Sequence, residues 1–161
     1  QFDVEGYFDN NRAADVVAWL RQRGLSASTA GYILREQMVC PVVLQIRPGC
    51  EVAFDRRTIG TATGSKIALA LGRIPVEDAL QQTAGDIERW AFDAGGRKLA
   101  AASWIDNIYT SSSSPGGAIR MCDRIANHLR DEWHLNVKPG SQLVMYAMGF
   151  DTSWQPGGTW W

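Results

Sequence analysis

Apolar residues recur at helical spacing in four stretches of the chain, with short strand-like runs between them. Ala13, Val16, Val17 and Leu20 fall at steps of three and four, one face of a helix capped by Asn10 or Asn11 and ended by Gly24. Ser26 opens a second helix running towards Met38, which Pro41 closes. Val42 to Arg47 and Val52 to Arg57 are β-rich, and Pro48-Gly49-Cys50-Glu51 between them makes the pair a hairpin. From Gly64 the pattern is helical again through Ile67, Ala68 and Leu71; Pro75 interrupts it, and Val76, Leu80, Ile87 and Trp90 resume it. After Gly95-Gly96, Lys98 to Ile105 reads as a strand, Asp106-Asn107 as an acidic turn and Ile108-Tyr109-Thr110 as the return strand. Ser111 to Ser114 with Pro115-Gly116-Gly117 reads as a loop. The next helix puts Ile119, Cys122, Ala126, Leu129 and Trp133 on one face and Arg120, Asp123, Arg124, Asn127 and Arg130 on the other. A strand from Gln142 to Ala147 ends the pattern, and Thr152 to Trp161 shows none. This order predicts an α+β fold, an antiparallel sheet with helices packed on one face, without an internal repeat or a domain boundary.

Composition narrows the classes. The 161 residues are 45% hydrophobic and 20% charged, ordinary for a globular domain. No apolar run approaches the roughly 20 residues of a membrane helix, so no membrane partner is expected. No basic stretch leading into an apolar one opens the chain, so no signal peptide is visible. The net charge of -1 carries no bulk electrostatic signature of nucleic-acid binding. Cys40, Cys50 and Cys122 form no Cys-x-x-Cys pair, and His128 and His134 complete no zinc spacing, so a reduced intracellular protein without structural metal is expected. Gln1 in the first position reads as the start of a fragment. Trp19, Trp90 and Trp133 fall on helical apolar faces and are expected in the core.

The chemistry lies in five segments. Asp3-Val4-Glu5-Gly6-Tyr7-Phe8-Asp9 ends a strand, and Trp104-Ile105-Asp106-Asn107 forms a hairpin tip. Nucleotidyl transfer needs hard cations to activate the attacking oxygen and steady the leaving one. Mg²⁺ takes only one or two carboxylates besides waters and phosphates, so aspartates on two neighbouring strands suffice. The same residues also read as ordinary turn aspartates. Between them, Arg57 to Ser65 carries Gly60 and Gly64 and opens a helix, a place where backbone and phosphate approach closely. Leu135-Asn136-Val137-Lys138 and Met148-Gly149-Phe150 follow.

In this order the five segments resemble the palm of reverse transcriptases, particularly those of non-LTR retrotransposons and group II introns. Phe2 to Asp9 resembles the family's first motif, Gly60 to Ser65 the second and Trp104 to Asn107 the aromatic-x-Asp-Asp motif. Leu135 to Lys138 and Met148-Gly149 resemble the last two. The resemblance spans residues 2 to about 151. It implies a polymerase palm of ferredoxin-like type over 1–151, with fingers missing before it, a thumb missing after it and 152–161 an unassigned tail. It further implies Asp3 and Asp106 as ligands of catalytic Mg²⁺ or Mn²⁺, with the Val4 carbonyl as an extra ligand. Asn107 and Lys138 join the catalytic set, Lys138 at the departing pyrophosphate. Tyr7, Phe8, Thr63, Gly64 and Ser65 would line the nucleotide and template pocket, Phe8 as the ring that excludes a 2′-hydroxyl. Trp104 would pack under the metal site. The implied partners are an RNA template, a DNA primer, dNTP and the parent protein's fingers and thumb. The implied compartment is the nucleus for a eukaryotic retrotransposon and the cytoplasm otherwise. Taken alone, the fragment is expected not to extend a primer.

Two positions depart from the family. Asn107 stands where a second aspartate is usual, and Thr63 where glutamine is usual. Three other readings compete: an RNA-dependent RNA polymerase palm, an inactive palm kept as a nucleic-acid-binding scaffold, and an unrelated α+β interaction domain. The last expects Asp3 and Asp106 to lie far apart.

Overall fold

Helices and short antiparallel strands alternate along the chain. A computed structural model describes residues 1–39, 42–54, 59–61, 65–147 and 154–156. Its elements are β1 (Phe2–Asp3), α1 (Tyr7–Asn10), α2 (Ala13–Gln22), α3 (Ala27–Leu34), β2 (Val42–Arg47), β3 (Cys50–Phe54) and α4 (Ala68–Ile87). There follow β4 (Phe92–Asp93), β5 (Lys98–Leu99), β6 (Ala101–Trp104), β7 (Asn107–Thr110), α5 (Pro115–Trp133), β8 (Met145–Ala147) and β9 (Trp154–Pro156). Among the described residues every strand pair is antiparallel, but the strands form four small sheets instead of one. Although no composition break marks it, the chain packs as two compact units, Gln1–Tyr7 with Arg73–Trp161, and Phe8–Gly72.

In the Phe8–Gly72 unit, α2 buries Ala13, Val16 and Val17, as its spacing predicts. Its end is closed by Gly24 at φ +96°, with Leu25 N–H on the Leu20 carbonyl and Gly24 N–H on that of Arg21. Those two bonds take carbonyls that the last helical turn leaves free, in a backbone conformation glycine adopts at little cost. The start differs from expectation. Arg12 is the cap residue and its side chain makes no capping bond, while Asn11 is fully buried and neither of its side-chain polar atoms finds a partner among the described residues. Ser26 does cap α3, accepting from Thr29 N–H at 3.1 Å. That helix ends at Leu34 and passes into a wider π turn over Arg35–Val39, so it stops short of the expected α-helix to Met38. The hairpin β2–β3 turns at Pro48-Gly49, Gly49 taking φ +77°, and Cys50 and Glu51 belong to its second strand.

In the other unit β1 is central. On one side it pairs with β7, Phe2 opposite Ile108 and Asp3 opposite Asn107, and β7 pairs in turn with β6. On the other side Val4 bridges Val137, and Gln1 exchanges two backbone hydrogen bonds with Leu143, at 2.8 and 3.0 Å. Side chains alternate across a strand. Phe2, Val4 and Ile108 therefore point together into a core that Met121, Ile125 and Leu129 of α5 share. Asp3, Asn107 and Trp104 form a cross-strand row on the opposite face.

Several boundaries move for local reasons. Pro115 begins α5 instead of preceding it, because a first-turn proline has no hydrogen bond to lose and Ser114 caps the helix through Gly117 N–H at 3.1 Å. Pro75 does not break α4, which runs unbroken from Ala68 to Ile87. A mid-helix proline costs about 3 kcal/mol, and buried residues on both sides, Ala68 and Leu71 before it and Val76, Ala79 and Ile87 after it, offset that cost. The expected strand from Lys98 to Ile105 is two, β5 pairing with β4 and β6 with β7. The last strand begins only at Met145, and Trp154–Pro156 in the tail pairs with it. Of the three helical tryptophans only Trp133 is core; Trp19 and Trp90 are half-buried under the guanidinium groups of Arg23 and Arg89.

Candidate active site

The acidic tip is a two-residue turn, Ile105-Asp106, with Trp104 opposite Asn107. Asn107 lies in the ladder between Trp104 and Asp3 and is not a turn residue as its chemistry suggested. Ile105 instead takes φ +57°, a backbone region in which a β-branched side chain is strained by about 1–3 kcal/mol. The turn binds directly to the first acidic segment: Val4 N–H donates to the Asp106 carbonyl at 3.2 Å. Paired strands lie about 4.8 Å apart, so the backbones carrying Asp3 and Asp106 are immediate neighbours. Asn107 Nδ2 donates to Asp106 Oδ1 at 3.4 Å.

Asp3 is held from its other side. Lys138 N–H donates to the Asp3 carbonyl at 2.9 Å, and Lys138 Nζ lies 3.6 Å from Asp3 Oδ2. Lys138-Pro139-Gly140-Ser141 is a β-turn closed by Ser141 N–H on the Lys138 carbonyl, with Gly140 at φ +73°. Proline then glycine at the two central positions suits a type II turn. The turn returns Ser141 Oγ to the strand, where it accepts from Asp3 N–H at 3.1 Å and donates to the Lys138 carbonyl at 2.8 Å. Asp3 Oδ1 is buried and, among the described residues, has no hydrogen-bond partner. A buried, unpaired carboxylate oxygen is costly, and it is the atom a divalent cation would take. The donor set fits Mg²⁺ or Mn²⁺: hard oxygens only, few enough that waters and phosphates complete the shell. Among the described residues no cluster of three or more His, Cys, Asp or Glu side chains is placed to hold a metal ion.

The remaining predicted residues divide. The Val4 side chain is buried in the core. Tyr7 is also buried; burial pushes its hydroxyl well above the usual phenol range, a hydrogen bond from the Val76 backbone opposes this, and the charges of Asp106 and Glu77 add to it. Trp104 is 73% exposed and does not pack beneath the acidic tip. Phe8 and Ser65 belong to the other unit. There Phe8 presses its ring on Gly72, where an added Cβ would stand 2.8 Å from Phe8 Cε1. Thr61 N–H donates to the Phe8 carbonyl at 2.8 Å and Gly60 N–H to that of Asn11 at 2.9 Å, so the glycine segment is bonded to the chain that follows the first motif. Ser65 Oγ donates to Glu36 Oε1 at 2.6 Å and accepts from Gln37 Nε2 at 3.2 Å. Thr63, Gly64 and Met148-Gly149-Phe150 lie outside the described residues. Sequence reasoning missed Ser141 and Glu36. The Pro139-Gly140 pair signalled the turn that delivers Ser141; no local signal marks Glu36.

Cys122 is buried like Tyr7, and burial raises its thiol, with a bond to Thr110 Oγ1 opposing. Both groups keep their protons in the folded state at pH values where the unfolded chain, with ordinary values of 9.0 and 10.0, has begun to lose them. Folding stability is therefore fully present below pH 9 and falls above it, by up to about 1.4 kcal/mol per pH unit for each group. Urea midpoints should drop between pH 8 and pH 10.5, and Tyr7→Phe with Cys122→Ala should flatten the drop. An unchanged slope in the double variant assigns the alkaline loss elsewhere.

No protein-family model matches the chain, and no curated protein matches its sequence. No helix among the described residues is long and apolar enough to cross a membrane.

Proposed function

We propose that this chain is the palm of an RNA-directed DNA polymerase, working with Mg²⁺ or Mn²⁺, an RNA template, a DNA primer and dNTP. The observation that supports the reading is that Asp3 and Asp106 stand on hydrogen-bonded neighbouring segments, Asp3 on the sheet face opposite the core and Asp106 at the hairpin turn beside it. An unrelated domain in which the motifs arose by chance gives no reason for that adjacency. When bound, the cations supply activation of the attacking 3′-oxygen and neutralisation of the leaving pyrophosphate. The chain's own part is to present ligands in fixed positions. Asp3 is fixed through the Ser141 brace, and Asp106 through the turn and its Asn107 contact. Trp104 and Tyr109, exposed on the Asp3 side of the sheet, add ring surface of the kind that nucleic-acid bases stack on.

Phe8, five residues after Asp3, is the proposed sugar selector. Gly72 packs against its ring. In a protein that carries this chain between fingers and thumb, RNA-templated incorporation should use dNTP and reject NTP. Phe8→Ala should relax that preference by about 10²-fold, the scale on which an apolar pocket rejects an added hydroxyl. Single-nucleotide incorporation kinetics measure this. A native protein that prefers ribonucleotides points to an RNA polymerase palm, and absence of templated incorporation overturns the polymerase reading. Asn107, in place of a second carboxylate, is the observation that favours an inactive scaffold.

A further inference from the structure

Resting on the metal-site reading above, we infer that Lys138 is a built-in counter-cation for Asp3 that a divalent ion must displace, so that this residue sets how weakly the site takes a bare cation. The pair is not a chance meeting of two long side chains. Lys138 is bonded to Asp3 through its own backbone N–H at 2.9 Å. The Lys138–Ser141 turn is tied to the Asp3 N–H by Ser141 Oγ, so the ammonium starts from a point fixed relative to the carboxylate. Nζ stands 3.6 Å from Oδ2, while Oδ1 is buried and unpaired. One oxygen of Asp3 is thus matched with a positive charge, and the other has no partner among the described residues.

A Mg²⁺- or Mn²⁺-sized ion sits about 2.1 Å from a ligating oxygen. Placed on Asp3 it would lie within a few ångströms of the ammonium, and the two cations would repel. Asp3 and Asp106 contribute two negative charges and Asn107 none, so the single charge of Lys138 cancels half of what attracts the ion. Cation binding therefore requires the Lys138 side chain, 59% exposed, to swing away from Oδ2. The swing frees the ammonium for an anionic group arriving with the cation. Linkage makes the effect mutual: whatever anion engages Lys138 raises the affinity of Asp3 for metal.

The test is Mn²⁺ affinity of the purified chain, read from the electron paramagnetic resonance signal of free Mn²⁺, for the native sequence, Lys138→Ala, Lys138→Arg and Asp3→Asn. Lys138→Ala should bind Mn²⁺ about three- to fivefold more tightly, the scale of a partly exposed ion pair. Lys138→Arg, which keeps the charge, should match the native chain, and Asp3→Asn should lose binding. Equal or weaker binding by Lys138→Ala overturns the counter-cation role while leaving the metal site in place. Absence of Asp3-dependent binding in every variant, Lys138→Ala included, overturns both.

Discussion

Asp106→Ala should abolish templated nucleotide incorporation, by about a thousandfold or more, in a protein that carries this chain with fingers and thumb. On the proposed reading the loss is large because so few protein groups would serve the cation. With Asn107 neutral, Asp106 is the only carboxylate on the hairpin tip, and Asp3 is its one partner across the strand pair. Folding should change by less than about 1 kcal/mol. Asp106 is a half-buried turn residue, its backbone bond from Val4 survives the substitution, and its side chain gives up only the long 3.4 Å contact with Asn107. Asp3→Ala should be equally inactive. Single-turnover incorporation, compared with urea midpoints of the same variants, separates chemistry from folding. Retained function in Asp106→Ala would sink the catalytic reading and favour the proposed scaffold alternative. Asn107→Asp is the informative companion. It gives the tip the carboxylate pair of the motif that Trp104 to Asn107 resembles, so a gain in rate would support the proposed polymerase reading.

Asp78→Ala should cost about 3 kcal/mol of folding stability, a larger loss than any substitution at the acidic tip should cause. Asp78 on α4 is buried, and its Oδ2 accepts from Trp133 Nε1 and from His128 Nε2, each at 3.0 Å, both on α5. Truncation strands an indole N–H beside a ring that is only 5% exposed and leaves the imidazole without its carboxylate. An unpaired buried donor costs more than the bond itself was worth, so Trp133→Phe, which removes the donor with its hydrogen bond, should cost less than Asp78→Ala despite touching a larger side chain. Urea unfolding with a constant m-value measures both. If Asp78→Ala proves the milder change, the network contributes little to holding α4 and α5 together.

The helices of this chain were largely legible because the signals that form them are local. The steps of Ala13, Val16 and Val17, the Gly24 stop, the Ser26 cap and the Cys122, Leu129 and Trp133 positions of α5 all lie within a turn or two of the bonds they predict, whereas Met121 and Ile125 take core places expected of the half-buried Ile119 and Ala126. Errors collected where a local signal met a tertiary one. Pro75 carries a strong breaking signal, yet burial on both sides of it keeps α4 continuous. Asp-Asn is better turn chemistry than Ile-Asp. The ladder that pairs Asn107 with both Trp104 and Asp3 nonetheless pushes the turn onto Ile105 at positive φ.

At the candidate site, short-range patterning puts Asp3 at a strand end and Asp106 at a hairpin tip, while the order of the motifs, and for Lys138 the resemblance alone, is what points to them as a set. Tertiary structure alone decided that β1 lies between β7 and the 137–143 segment, that Ser141 braces Asp3, that Lys138 meets its carboxylate and that Trp104 turns outward. The physical reason is separation along the chain. Asp3 and Lys138 become neighbours only through strand pairing between distant segments, and that pairing is selected by burying Phe2, Val4 and Ile108 together beneath α5, a choice that no window of sequence contains.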